Sequence, residues 1–456
     1  MVVFIINENK MGVMPVGKLL ITMSLPMIAS MLVQAAYNIV DSIFVASINE
    51  DALTALSLAF PVQNLLIGVG TGTGVGINAL LSKALGEKNF EKVNKIAVNG
   101  VFLGFVGYFL FLIFGIFGSR LFFCVQTDNP QIIEYGTSYV SICSIGSIFV
   151  FMQIIFERLM QATGRTIYSM FTQGVGAIVN IILDPILIFG YFGLPKMGVT
   201  GAALATILGQ FVASIMGIVL NQKFNHDVKL HIKGFKPDLK IIGRIYAIGV
   251  PSMIMMGISS IMNFSLNKIL IGFSTTAAAV LGVYYKLQSF AFMPIFGLNN
   301  GIIPIVAYNY GAGKRSRLLK CIKYGVFLAE GILFVAILLF QFLPVQLLSV
   351  FNASENMISM GVHAFRIISL SYFFAGICIV LGSVFQAFGR GVHSMTVSIC
   401  RQLVVLLPAA WLLSLSGNVN LVWWAYPIAE VASLTVSMLA LFHLNKQIIK
   451  KIPDNK

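Results

Sequence analysis

The sequence predicts an all-α integral membrane protein: twelve transmembrane helices in two pseudo-symmetric six-helix lobes, with the N- and C-termini cytoplasmic. Three observations carry this prediction: composition, the spacing of apolar runs, and an internal repeat. Of 456 residues, 58% are apolar and only 10% are charged, whereas an ordinary soluble domain carries about a quarter charged residues. Too little polar surface exists to wet a globule of this size, which excludes a disordered chain, a nucleic-acid-binding domain and a cytosolic enzyme. Lys and Arg exceed Asp and Glu by 14, and in a membrane chain the position of those charges matters more than their sum. The VVFII run at residues 2–6 is shorter than a signal-peptide core and follows no basic region, so no cleaved leader is expected.

A bilayer-spanning helix needs roughly 20 mostly apolar residues. Such runs fall near 16–46, 52–82, 93–118, 134–158, 165–192 and 198–222, then near 241–272, 275–308, 320–343, 358–388, 393–416 and 421–445. The longer ones are expected to tilt, kink or extend beyond the hydrocarbon. The first run contains Pro26 and the seventh Pro251, and each proline should bend its helix, which makes Pro26 a candidate hinge. Glycines between Gly68 and Gly76 in the second run fit no nucleotide-binding pattern, so they predict close helix packing. Residues 223–240, rich in Lys and containing Pro237, form a cytoplasmic linker between an N-terminal lobe at 1–222 and a C-terminal lobe at 241–456.

The basic residues give the orientation. The termini, the loops after runs 2, 4, 6, 8 and 10, and the run ends that adjoin them hold 24 of the 30 Lys and Arg, including the cluster Lys314, Arg315, Arg317, Lys320 and Lys323. Opposite loops hold only Arg120 and Lys196, and Lys268, Lys286, Arg366 and Arg401 lie within runs. The positive-inside rule therefore puts both termini in the cytoplasm of a multi-pass inner- or plasma-membrane protein.

Sliding the chain against itself aligns it at a constant offset of 225 residues. Pro26 meets Pro251, Asn38 meets Asn263, Gln63 meets Gln288, Gly76 meets Gly301, and Gly164-Arg165 meets Gly389-Arg390. Each half has six runs, so the second re-enters with the orientation of the first and the repeat is parallel. Two parallel lobes about a central cleft are the layout of a transporter with alternating access. A duplicated receptor or channel without transport is the alternative from another class.

A repeat supplies its own control, because polar groups confined to one half are not required by the architecture. Asp41 corresponds to Leu266, Asn180 to Val405, Asp184 to Ala409 and Thr206 to Val431. In the first run, Ser30, Gln34, Tyr37, Asn38 and Asp41 make a polar stripe at helical spacing. In the fifth, Asn180 and Asp184 stand one turn apart, and Pro185 leaves the Ile181 carbonyl without its helical donor. An ionised carboxylate inside a membrane costs about 2.5–3.5 kcal/mol on insertion scales. Two of them persist for a reason, and binding H⁺ or Na⁺ is such a reason: a proton or a hard cation among carboxylate, amide and hydroxyl oxygens relieves their repulsion. The competing reading leaves Asp41 solvated near the outer face and makes Asp184-Pro185 a turn. In the second half, Lys268, Lys286, Glu330, Arg366, Arg401 and Glu430 also lie within the membrane.

No catalytic constellation emerges. The cysteines (Cys124, Cys143, Cys321, Cys378, Cys400) have no paired or metal-ligand spacing, and the histidines (His226, His231, His363, His393, His443) form no metal pattern. No nucleotide motif is visible, so the chain reads as no enzyme, with no cofactor, no nucleotide and no nucleic-acid partner. Transport is expected to draw on an ion gradient.

Pro26…Tyr37-Asn38-Ile-Val-Asp41, Gln161-Ala-Thr-Gly-Arg165, Asn180-Ile-Ile-Leu-Asp184-Pro185 and Gly198-Val-Thr-Gly-Ala-Ala-Leu-Ala-Thr206 together resemble the multidrug and toxic compound extrusion (MATE) transporters, across essentially the whole chain. The resemblance implies export of cationic, often aromatic drugs in exchange for Na⁺ or H⁺, by an expected monomer. Likeness to the DinF-like prokaryotic branch implies a cation site at Asp41, Asn180, Asp184 and Thr206. It also implies a drug cavity bordered by Met27, Gln34, Tyr37 and Asn38, and bending at Pro26. Another branch uses carboxylates on segments 7 and 10, but runs 241–272 and 358–388 contain none. A lipid-linked oligosaccharide flippase of the wider superfamily is the runner-up, with Lys268, Lys286, Arg366 and Arg401 as the cations that would meet phosphate.

Overall fold

The computed structural model describes residues 9–230, 234–351 and 353–454, apart from the side chains of Asn38, Ser42 and Ala46. The apolar run at residues 2–6 and His231 lie outside them. Every regular element among the described residues is helical, the form in which a single apolar segment satisfies its own backbone inside a bilayer.

The first half contains span 1 (Val16–Ala46), span 2 (Glu50–Gly86) and span 3 (Phe90–Ile113). Span 3 passes through a π-helical turn, Phe114–Gly118, into Ser119–Cys124. Span 4 pairs Pro130–Ile145 with Ser147–Ala162, followed by span 5 (Thr166–Phe189) and span 6 (Val199–Phe224). The second half repeats the series with span 7 (Leu239–Ile271), span 8 (Thr275–Gly311) and span 9 (Arg315–Phe342, then Pro344–Ser349). Span 10 pairs Glu355–Ser369 with Tyr372–Ala387. Span 11 runs from Gly391 to Ser414 through a π-helical stretch, Cys400–Leu406, and span 12 is Ala425–Gln447. Spans 4 and 10 bend by 47° and 51° at their breaks, which fall at the equivalent positions Gly146 and Ser371.

The offset of 225 governs local structure as well as sequence. Spans 2 and 8 are both 37 residues long. Each begins at a side-chain cap: Asn49 accepts from the Ala52 N–H at 2.7 Å and Ser274 from the Ala277 N–H at 3.1 Å. Ser169 Oγ donates to the Glu157 carbonyl at 3.1 Å, and its equivalent Ser394 Oγ donates to the Gly382 carbonyl at 2.7 Å. Gly164 and Gly389 close the turns after spans 4 and 10 at φ 85° and 78°, the left-handed region that favours glycine.

Compactness divides the chain differently from the repeat. One unit consists of Ala29–Met253 with Asn9, and the other of Lys10–Ile28 with the chain from Ile254 onward. The boundaries therefore run through spans 1 and 7, two residues after Pro26 and Pro251, rather than through the 223–240 linker. Close backbone contacts explain this. A Cβ added to Gly72 would stand 2.7 Å from the Gly249 carbonyl, and one on Gly76 would collide with the Ile245 carbonyl. In the second unit, a Cβ on Gly297 would lie 2.6 Å from the Ile28 backbone, and one on Gly301 would collide with Ser24. The glycine-rich stretch of span 2 thus serves packing. Spans 1 and 7 each continue as a single helix through their proline.

Candidate cation site in the first half

Three spans of the first unit converge on the aspartates. Span 1 carries Tyr37 and Asp41 one turn apart, span 5 carries Asn180 and Asp184 one turn apart, and span 6 carries Thr206. Spans 5 and 6 approach through glycine: a Cβ on Gly209 would lie 2.7 Å from the Gly176 carbonyl, and one on Gly201 2.6 Å from the Leu187 carbonyl. The connecting loop folds back because Gly190 and Gly198 adopt φ 78° and 55°, and the Met197 and Gly198 N–H groups donate to the Leu187 and Ile188 carbonyls, both at 3.1 Å. Span 1 is held beside them by Val45, which packs with Ile188, Val199 and Ala202, and by Phe44, whose ring meets Phe189 edge-on at 6.4 Å.

This packing brings Asn180 Nδ2 to 3.4 Å from Thr206 Oγ1, while the Thr206 hydroxyl donates to the Ala202 carbonyl at 3.0 Å. Asp184 is completely buried, Asn180 and Thr206 nearly so, and Asp41 half-buried. The carboxyl groups of Asp41 and Asp184 are within electrostatic reach of each other, and the Tyr37 hydroxyl is within reach of both. Asp41 Oδ1, Asn180 Oδ1 and both carboxyl oxygens of Asp184 are buried without a hydrogen-bond donor among the described residues. Oxygens in that condition cost free energy unless a proton or cation joins them. The donor set, carboxylate with amide and hydroxyl, suits a hard cation or a proton. No group of three or more His, Cys, Asp and Glu placed to hold a metal exists among the described residues.

The residues expected to border a drug cavity are spread more widely. Tyr37 is half-buried beside the aspartates, and Gln34 is exposed on span 1. Met27 is fully buried and belongs to the second unit, as does Pro26. The Asn38 side chain lies outside the described residues.

Two neighbours escaped the sequence reading. Tyr139 on span 4 is buried, accepts a hydrogen bond from Gln63 Nε2 at 2.8 Å, and lies within electrostatic reach of Asp41 and Tyr37. Cys143, one turn further, also lies within reach of Asp41. Tyr139 corresponds to Ala364 and Cys143 to Ile368, so the comparison of halves contained the signal. In the second half, Arg401 pairs with Glu430 at 3.6 Å, and Glu330 accepts a hydrogen bond from the backbone N–H of Ile377 at 2.9 Å.

Comparison with known proteins finds similarity along most of the chain. The MatE family profile matches residues 26–186 and 251–412, one block in each half. A multidrug export protein, MepA, from Staphylococcus aureus strain MSSA476 is 27% identical over 437 residues, covering 95% of each chain. A MepA from Staphylococcus saprophyticus is 25% identical over 426 residues, covering 93% of each. Among solved structures, the outward-facing conformation of a multidrug resistance MATE family transporter of the MOP superfamily has a TM-score of 0.91 at 22% identity, over 98% of this chain and 99% of that one. A MOP superfamily transporter from Pyrococcus furiosus, described by a binding pocket of reverse polarity, has a TM-score of 0.85 at 23% identity with the same coverage.

Proposed function

The chain belongs to the MatE family of membrane transporters, and from that membership we propose that it exports cationic, aromatic compounds in exchange for H⁺ or Na⁺ bound at Asp41, Asn180, Asp184 and Thr206. It is a multi-pass membrane transporter of the multidrug efflux class and not an enzyme. The observation that carries the coupling proposal is the set of four buried oxygens on Asp41, Asn180 and Asp184 that have no donor among the described residues, at positions where the other half has only apolar side chains.

A cation entering from outside binds the two carboxyl groups and removes their mutual repulsion. Tyr37, on the polar stripe of span 1 and within electrostatic reach of both aspartates, changes its surroundings with the charge of the site. Coupling follows if ion and drug prefer different states, because each then lowers the other's apparent affinity. Release to the cytoplasm restores the carboxylate pair and reloads the drug site.

The flippase alternative requires cations open to a phosphate-bearing substrate. Arg401 is engaged with Glu430, Arg366 Nε donates to the Gln341 carbonyl at 3.3 Å, and Lys286 lies 5.9 Å from the Phe351 ring centre. Lys268, Lys286 and Arg366 remain exposed, so what favours drug export is the likeness along 95% of the chain to multidrug export proteins.

The test is a proteoliposome assay with an ethidium-like dye, imposing ΔpH and ΔNa⁺ separately. Wild-type protein should move dye under at least one gradient. Asp41→Asn and Asp184→Asn should insert and fold normally yet lose gradient-driven transport. A variant that exports at the wild-type rate would remove its aspartate from the mechanism, and transport under neither gradient would end the proposal of ion coupling.

A further inference from the structure

Outside the cation site, the second unit contains a groove of about 500 Å³ between the starts of spans 1 and 9. Its polar wall is basic, with Lys18, Arg317 and Lys320, and no acidic side chain lines it among the described residues. Arg317 is held in place: its Nη2 donates to the Met11 and Met14 carbonyls at 3.2 and 2.6 Å, and its Nε donates to Asn309 Oδ1 at 3.2 Å. Lys18 and Lys320 are exposed. Asp454 lies within electrostatic reach of Lys320, but its carboxylate accepts from the Ser316 N–H and Oγ at 2.9 and 2.8 Å.

The remaining walls are apolar and open. Ile21, Tyr324 and Phe327 line the groove at 53%, 41% and 76% exposure. Spans 1 and 9 both start on the side that carries most of the positive charge, so depth increases along each of them together. Lys18 precedes Ile21 by about one turn, and Lys320 precedes Phe327 by about two turns, or about 10 Å of helix rise. Tyr324 lies between them, at the level where amphipathic rings collect in membranes. The groove thus reads cationic, amphipathic, apolar from the cytoplasmic surface inward. Gly17 lines the groove facing Tyr324: a Cβ there would reach the Tyr324 ring at 3.8 Å, an ordinary contact, so only a larger side chain would fill the space.

We propose that this groove binds an anionic glycerophospholipid of the cytoplasmic leaflet, with the phosphate on Lys18 and Lys320 and an acyl chain along Ile21 and Phe327. The charge order selects this ligand. A free phosphate would leave the aromatic wall unused, and a zwitterionic lipid would bring a second cation to a cationic pocket. The site would fasten the first turns of span 1 to span 9 and is independent of which ion drives transport.

The test is native mass spectrometry of the full-length protein, titrated in detergent with phosphatidylglycerol or phosphatidylcholine. Wild type should retain phosphatidylglycerol in preference to phosphatidylcholine. Lys18→Gln with Lys320→Gln should weaken phosphatidylglycerol about 30-fold, at about 1 kcal/mol per basic residue and 1.4 kcal/mol per tenfold, while Lys323→Gln, outside the groove, should leave it unchanged. Gly17→Leu keeps every charge but fills the groove, and it should also lower retention; it carries the test alone if the double variant does not fold. Wild-type retention in the double variant or in Gly17→Leu would overturn the proposal, as would complete displacement of the lipid by equimolar inorganic phosphate.

Discussion

Asp184 has no exposed surface, and among the described residues neither of its carboxyl oxygens has a donor, so its charge is set together with that of the neighbouring Asp41. Asn180 is the neutral partner whose contribution can be isolated. Its Nδ2 is directed at Thr206 and its Oδ1 is unpartnered. Asn180→Leu removes that oxygen while keeping both aspartates. If Na⁺ is the coupling ion, the apparent Na⁺ affinity should fall about 10-fold or more, the usual effect of losing a supporting ligand, and ΔpH-driven transport should be the less affected of the two. Dye efflux against Na⁺ concentration measures this; an unchanged Na⁺ dependence would exclude Asn180 as a ligand. The aspartates, Asn180 and Thr206 were legible in the sequence because oxygen-bearing side chains stood opposite Leu266, Val405, Ala409 and Val431. Tyr139 passed unnoticed because an aromatic ring blends into an apolar helix, although it stood opposite Ala364. Gln63 was hidden for another reason: it recurs as Gln288 and so resembled scaffold.

Among the helices, glycines determine which pairs can approach. Gly76 and Gly301 occupy equivalent positions, and a Cβ on either would collide with a neighbouring residue, Ile245 in the first unit and Ser24 in the second. Gly76→Ala and Gly301→Ala should each destabilise the protein by about 1–3 kcal/mol, as overpacking does. Gly257 and Gly331 are helical glycines with nothing within 4 Å of an added Cβ. Alanine there should be neutral or stabilise by up to about 1 kcal/mol through helix propensity. Thermal unfolding in detergent separates the two classes, and equal Tm shifts would refute the packing argument. Apolar runs made all twelve spans legible, and glycine spacing in span 2 announced close contact. The breaks at Gly146 and Ser371 were not legible, because hydropathy averages across a bend while both arms remain apolar. Nor could composition reveal the π-helical stretch at Cys400–Leu406, since one extra residue in a turn leaves hydropathy unchanged.

At the scale of the whole molecule, the repeat and the compact units divide one chain in two ways. The repeat places Leu239–Met253 with the second half, yet these residues pack in the first unit, where Gly249 and Ile245 meet Gly72 and Gly76. Likewise Lys10–Ile28 belongs to the second unit, where Ser24 and Ile28 meet Gly301 and Gly297. A sequence comparison cannot detect this exchange, because the offset of 225 pairs equivalent positions and says nothing about which copy each one touches. The exchange has a consequence for a chain cut in the linker between Lys229 and Lys236. The N-terminal fragment would keep Gly72 and Gly76 but lose the carbonyls that cover them; the C-terminal fragment would keep Gly297 and Gly301 but lose Ser24 and Ile28. Each uncovered groove leaves apolar surface and close-packing contacts unfilled, so each fragment expressed alone should be unstable and readily proteolysed. Co-expressed fragments restore both sets of contacts without the covalent link, whose loss costs only the entropy of joining two chains. They should therefore co-purify through a tag on one fragment, with a Tm close to that of the intact protein. Two independently stable fragments that do not associate would show that the halves, and not the exchanged units, are the folding units of this chain.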